Sequence, residues 1–418
     1  MECSRKSEHV DPFDYLFSLE RFGIKFGLEN ISTLVARLGH PERAFRSVHV
    51  AGTNGKGSVV AMVDAALRAA GHRSARYTSP HLVDLTERFA IDGRPVDRDR
   101  LAAVVSGIRD TIEQLRAERA LDVQPTFFEV STAAAFELFR QAAVDVAVLE
   151  VGLGGRLDAT NVVRPMATAI TSIDFDHERF LGYTLREIAT EKGGIIKPGV
   201  PVVIGELHPE ARAAIDEIAA RVGAPVLEAR QADVGDLAVG LRGAHQRTNA
   251  AVAVRLLQVV DSCGLPVPRA AVASGLANPQ WPGRLEVRQL PGRRELLLDA
   301  AHNPAGAAAL ASYLKSEGAA PRPLVFAAMR DKDAGAMLRA LLPAVALAVF
   351  TRASNPRSAD PDALAAQARA IAPSLPVSAE PSLGDALAVA WRAAPRIVVA
   401  GSIFLLGDVI RFEASGPW

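Results

Sequence analysis

Between Ser47 and Gly71 the chain reads SVHVAGTNGKGSVVAMVDAALRAAG, and its turn carries the residue types that hold a polyphosphate. Glycines at 52, 55 and 57 let consecutive backbone N–H groups converge on one point, where the positive end of a following helix favours an anion. Lys56 would reach the outer phosphates, and Ser58 would offer its hydroxyl to a magnesium ion. The spacing is GxxGKGS, with a glycine between lysine and serine, and so departs from the common GxxxxGK[ST]. A glycine-rich turn without a ligand is the plain alternative.

Other polar residues fall where strands should end. In TSPHL, Ser79 and His81 follow a strand over 75–78, at the edge where open α/β sheets collect ligands, although a serine there also serves simple turns. Glu150 closes the apolar run 145–151, and burying an unpaired carboxylate costs several kcal/mol. Either a cation such as magnesium faces it, or it is a capping or salt-bridged residue. His177 lies past a strand over 167–172 and reads equally as a metal ligand or a surface histidine. Lys192 ends a helix, where a basic residue also complements the helix dipole.

The elements that must position these groups follow from periodicity. Helical spacing covers 12–22, 28–38, 98–115, 127–142, 209–222, 244–261 and 269–277, and a further strand covers 201–205. This first unit is a mainly parallel sheet flanked by helices. NPQWPGR interrupts the pattern and places a domain boundary near Arg284, giving units of 1–284 and 285–418. Beyond it, strands over 295–300, 324–329, 347–353, 376–379 and 396–402 alternate with helices as a small doubly wound α/β domain. Its strand ends carry DAAHNP, MRDKD and SNPR, which could close over a ligand held by the first unit or could simply cap helices.

The chain's 418 residues suffice for two domains, and 47 basic residues balance 47 acidic ones. Bulk charge therefore points to no nucleic acid and no membrane surface as partner. Two cysteines, Cys3 and Cys263, make neither a disulfide framework nor a cysteine zinc site, and a reducing cytoplasm fits them best. The start, MECSRKSEHVDPF, lacks an apolar signal core, and the most apolar run, 340–350, is short and contains Pro343.

Taken in order, AGTNGKGS, TSPHL, FFE, LEVGLGGRLDATN, DHERFLG, EKGGIIKPG, WPGR, DAAHNP, DKD and GSIFLLGDV resemble the folylpolyglutamate synthase and dihydrofolate synthase family, related to the Mur peptide ligases. The resemblance implies a P-loop ATPase-type domain with a smaller C-terminal Rossmann-like domain, and a cytoplasmic monomer. The activity implied is an ATP-dependent amide ligase joining L-glutamate to dihydropteroate or to a reduced folate through an acyl phosphate. It places the triphosphate on Thr53, Asn54, Gly55, Lys56, Gly57 and Ser58, with further nucleotide contacts at Asn249, Arg284 and Asp299. Magnesium falls to Ser79, Glu150 and His177, and a carbamate on Lys192 would hold a second magnesium. Phe22, Phe128 and Asp158 match regions lining a pterin pocket, and His302 and Ser402 match positions near the incoming glutamate, with His302 acting on its amine.

Two other readings stay open. A Mur-type cell-wall ligase would use the same chemistry, although TSPHL, FFE and GGRLDATN favour the folate branch. A nucleotide-dependent switch of GTPase type is less suited, since no asparagine precedes a lysine as in NKxD and a switch does not need the second domain.

Overall fold

The structure is a computed structural model describing residues 11–23 and 25–416, so Cys3 lies outside the described residues. Two sheets account for its strands. The first contains β1 (Arg46–Ala51), β2 (Ser74–Tyr77), β3 (Phe89–Ile91), β4 (Arg94–Pro95), β5 (Val146–Glu150), β6 (Ala167–Ile170), β7 (Val202–Ile204) and β8 (Val226–Glu228). Their order is β4-β3-β2-β5-β1-β6-β7-β8, and only β3 runs against the others, pairing antiparallel with β2 and β4.

Helices cover both faces of this sheet, which is why its central strands are buried almost end to end rather than alternating between buried and exposed positions. Val146 and Val148 of β5 enter the core built with helices Lys56–Ala69 and Ala244–Ser262. Ala147 and Leu149 enter the opposite core, with helices Arg98–Ala117 and Phe127–Gln141. The register pairs Val50 with both Glu150 and Ala169, so β1, β5 and β6 end together. The loops that follow them therefore share one edge.

The second sheet holds β9 (Glu286–Leu290), β10 (Arg294–Leu298), β11 (Arg322–Phe326), β12 (Val345–Phe350), β13 (Val377–Ala379) and β14 (Arg396–Ala400). Its order is β13-β12-β11-β14-β10-β9, with only β9 antiparallel. The chain passes from helix Arg269–Ala277 to β9 through the segment bearing Trp281 and Arg284.

Four strands escape the periodicity reading. β3 and β4 are very short, β8 is half exposed at an edge, and β9 carries Glu286, Arg288 and Gln289 as the other sheet's edge. Edge strands need no continuous apolar run, so they leave little signal. The helix expected over 12–22 is an α-helix, Pro12–Ser18, continuing as a 3-10 turn, Leu19–Phe22. The helix expected after the glycine turn begins at Lys56, inside the GxxGKGS motif itself. No helix among the described residues is long and apolar enough to cross a membrane.

Candidate active site

The turn after β1 is built so that only glycine fits at its corners. Gly52 (φ +148°) and Gly55 (φ +84°) lie where side chains are strained, and a Cβ would stand 2.0 Å from Thr171 Oγ1 at Gly52 and 2.2 Å from Asn249 Oδ1 at Gly55. The end of β6 clamps the loop: Thr171 Oγ1 donates to Asn54 O at 2.6 Å, and Asn54 N donates to Ser172 Oγ at 3.0 Å. Thr53 Oγ1 also accepts from Asp174 N at 3.0 Å. Helix Lys56–Ala69 starts at Gly55 with no side-chain cap, leaving its first N–H groups facing the cleft.

Lys56 curls back, its Nζ donating to Gly52 O at 3.0 Å and Thr53 O at 3.1 Å. Lys192 Nζ reaches the same Gly52 oxygen at 3.0 Å. Burial, reinforced by Lys56, pushes the Lys192 amine down to about 7. Glu150 is buried, and its one hydrogen bond among the described residues comes from the Ser79 amide at 3.3 Å. Burial raises its pKa, with Lys56 the strongest opposing charge.

Residues of the second unit close the other wall. Asn303 Nδ2 donates to Asn54 Oδ1 at 2.9 Å and to Asp176 Oδ2 at 3.1 Å, while Lys332 Nζ is paired with Asp176 and stands 3.3 Å from His177 Nε2. Burial alone would raise Asp176, but the Lys332 ammonium holds its carboxyl well below the usual range. Burial, with Lys332 beside it, pushes His177 down to about 4 and does the same to His302. The His302 Nδ1 lies 2.8 Å from Ala300 O, a carbonyl that can only accept, so Nδ1 carries the proton and Nε2 is bare. Asp299 is buried, accepting from Leu285 N and Ala301 N, each at 2.9 Å. Burial raises its pKa against the pull of Arg284.

Thr53 to Ser58, Ser79, Glu150, His177, Lys192, Asn249, Arg284, Asp299 and His302 all line one cleft of about 420 Å³ between the sheets. That volume suits a small-molecule ligand. His81 is absent from the lining and accepts from Arg88 Nε at 3.0 Å. Phe22, Phe128, Asp158 and Ser402 also lie off the lining. Phe22 is 41% exposed under Arg21, and Phe128 packs on Tyr77 and on Gly152. Asp158 accepts from Gly152 N, Leu153 N and Thr160 N at 2.9–3.0 Å, which fixes the loop after Glu150. Ser402 caps helix Ile403–Ser415, accepting from Phe404 N at 3.2 Å. Asp176, Lys332 and Asn303 are bridging residues that the reading of single positions passes over, although all three lie inside its polar motifs.

A sequence profile of the Mur ligase glutamate ligase domain matches residues 283–403. The chain is 38% identical over 358 residues to the dihydrofolate synthase/folylpolyglutamate synthase of Bacillus subtilis, spanning 80% of this chain and 82% of that relative. The chain belongs to the folylpolyglutamate synthase/dihydrofolate synthase family. Its likeness to the Saccharomyces cerevisiae dihydrofolate synthetase is 32% over 431 residues, 94% of this chain and 99% of the relative. Mycobacterium tuberculosis folylpolyglutamate synthase, solved with ADP and AMPPCP, superposes with a TM-score of 0.87 at 35% identity over 98% of this chain and 100% of that one. E. coli FolC in complex with DHPP and ADP gives 0.84 at 29% identity, covering 97% and 98%. This synthase is thus an ATP-dependent amide ligase of two α/β domains.

Proposed function

We propose that the cleft joins L-glutamate to the carboxylate of dihydropteroate, or of a folate already carrying glutamate, using ATP. The observation that carries this is one cleft lined by the glycine loop, the buried acid Glu150 and, from the second sheet's side, Asp299 and His302. Residues 1–284 hold nucleotide and pterin, and residues 285–418 present glutamate. Thr53 to Ser58 take the triphosphate, with Asn249, Arg284 and Asp299 around the nucleoside. Phe22, Phe128 and Asp158 flank the pterin, Asp158 through the loop it fixes, and Ser402 supports the glutamate side by seating its helix. The sparse cysteines agree with a reducing cytoplasm, where the protein would act as a monomer.

The donors suit a hard divalent cation. Glu150 is buried with a single amide hydrogen bond, the Ser79 hydroxyl belongs to the residue giving it, and His177 is held neutral with Nε2 as an acceptor. Ser79, Glu150 and His177 would hold magnesium, which supplies charge neutralisation between the phosphates and the attacking carboxylate. Lys192 would carry a carbamate, since an amine lowered to about 7 is largely free base just above neutrality, the form that adds to carbon dioxide. The resulting anion would hold a second magnesium.

A carboxylate and an amine do not condense in neutral water, because the oxygen leaves poorly and the amine is protonated. Transfer of the γ-phosphoryl group to the acceptor carboxylate removes the first obstacle. Lys56 and the free amides of the loop align and shield the two anions, Lys56 exchanging its carbonyl partners for phosphate oxygens. His302 Nε2, bare and facing the cleft, accepts a hydrogen bond from the neutral glutamate amine and orients it; the nitrogen attacks the acyl carbon, the bond to phosphate breaks, and the proton the nitrogen sheds leaves with that phosphate. Closure at WPGR keeps water from the intermediate.

The test is purified protein with ATP and labelled glutamate, given dihydropteroate, tetrahydrofolate or a UDP-linked peptide in separate reactions, with products resolved by mass. A glutamylated pterin product is expected. ATP hydrolysis indifferent to every acceptor, or ligation to the UDP-linked peptide alone, would overturn the proposal.

A further inference from the structure

The glycine between lysine and serine in GxxGKGS has a physical occupant opposite it. A Cβ on Gly57 would stand 2.2 Å from Cζ2 and 2.7 Å from Cε2 of Trp281, closer than any side chain tolerates. Gly57 is buried inside helix Lys56–Ala69, where its backbone does not require glycine, so the indole is what excludes a side chain there.

The indole is itself held. Arg76 places its guanidinium 5.5 Å from the ring centroid and donates to Gln280 O at 3.4 Å. Arg76 is in turn 3.6 Å from the wholly buried carboxylate of Asp64, which also accepts from Ser74 Oγ at 2.8 Å and Arg68 Nε at 3.2 Å. Asp64 belongs to the same helix as Gly57. A second close approach lies further along that helix, where a Cβ on Gly275 would meet Ala66 N at 2.4 Å. The segment from Gly275 to Trp281 is thus pinned to the phosphate-loop helix at two points, and Arg284 enters the cleft three residues after the second.

We propose that Trp281 is a positioning residue whose indole, seated on Gly57, sets the distance between the phosphate loop and Arg284 and so tunes nucleotide binding. This rests on the nucleotide role given to Arg284 above. Trp281 reaches the phosphates only through Gly57 and Arg284, so its loss should act on ATP and spare the other substrates. A side chain at 57 would push the indole away, and with it the start of the hinge.

The decisive experiment is a double-mutant cycle on the full chain. Gly57→Ala is expected to raise the KM for ATP at least about tenfold, since a displacement of about an ångström is costly to a reacting geometry. Adding Trp281→Ala should recover at least a third of that rise on a logarithmic scale, although Trp281→Ala alone also raises the KM for ATP. Trp281→Phe covers the case in which Gly57→Ala does not fold: it should raise the KM for ATP severalfold and leave those for glutamate and dihydropteroate unchanged. A Gly57→Ala protein with wild-type KM for ATP, a double mutant no better than Gly57→Ala, or a Trp281→Phe protein altered equally toward all three substrates would overturn the proposal. A wild-type protein without ATP-dependent ligation would instead sink the function itself.

Discussion

On the proposed mechanism the chemistry turns on Glu150, a buried acid whose one hydrogen bond among the described residues comes from a backbone amide. Glu150→Gln keeps the shape and the Ser79 contact but removes the charge, so ligation should fall at least about a hundredfold at fixed magnesium while the folded protein persists. Steady-state rates across a magnesium titration check this, and an unchanged magnesium dependence would count against it. Lys192 gives a second prediction at this scale. Protein equilibrated with ¹³C-labelled carbon dioxide should show a carbamate carbon signal that Lys192→Arg lacks, and the signal should fade as pH drops below about 7, where the amine holds its proton. Glu150, His177 and Lys56 are legible from sequence because each sits at the end of a strand or turn with a local pattern. Asp176 and Lys332 are not, since they are partners only after folding, 156 residues apart.

Elements place these residues through contacts that leave no room for change. Gly52 joins β1 to the phosphate loop, and any side chain there would collide with Thr171 at the end of β6. Gly52→Ala should weaken nucleotide binding at least about tenfold, read by titration with a fluorescent ATP analogue, because both the backbone angle and the contact oppose it. Wild-type affinity would mean the loop tolerates a different path. Central strands are readable because burial on both faces demands apolar runs, whereas β3, β4, β8 and β9 at or near the edges are short or polar. Helix starts are readable where a side chain caps them, as Thr126 and Thr184 do with the glutamates three residues later.

Across the whole molecule, folding keeps several histidines neutral. His49, inside β1, is held near 3 by burial, and His81, His177 and His302 near 4. The unfolded chain binds protons at these sites below about 6.5, so stability is full above that pH and is lost as pH falls toward 3. Melting temperature should drop between pH 7.5 and 5, and His49→Gln should flatten the slope; an identical slope would contradict the assignment. The two domains are joined across the cleft by Asp176 with Lys332 and Asn54 with Asn303. That closure gives the molecule one reaction space for nucleotide, carboxylate and amine. The measurement that tests it most directly uses dihydropteroate labelled with ¹⁸O in both carboxylate oxygens, with the inorganic phosphate analysed by mass. Ligation through an acyl phosphate predicts one ¹⁸O in each phosphate released and one kept in the amide. Phosphate free of label, released alongside a glutamylated product, would contradict it.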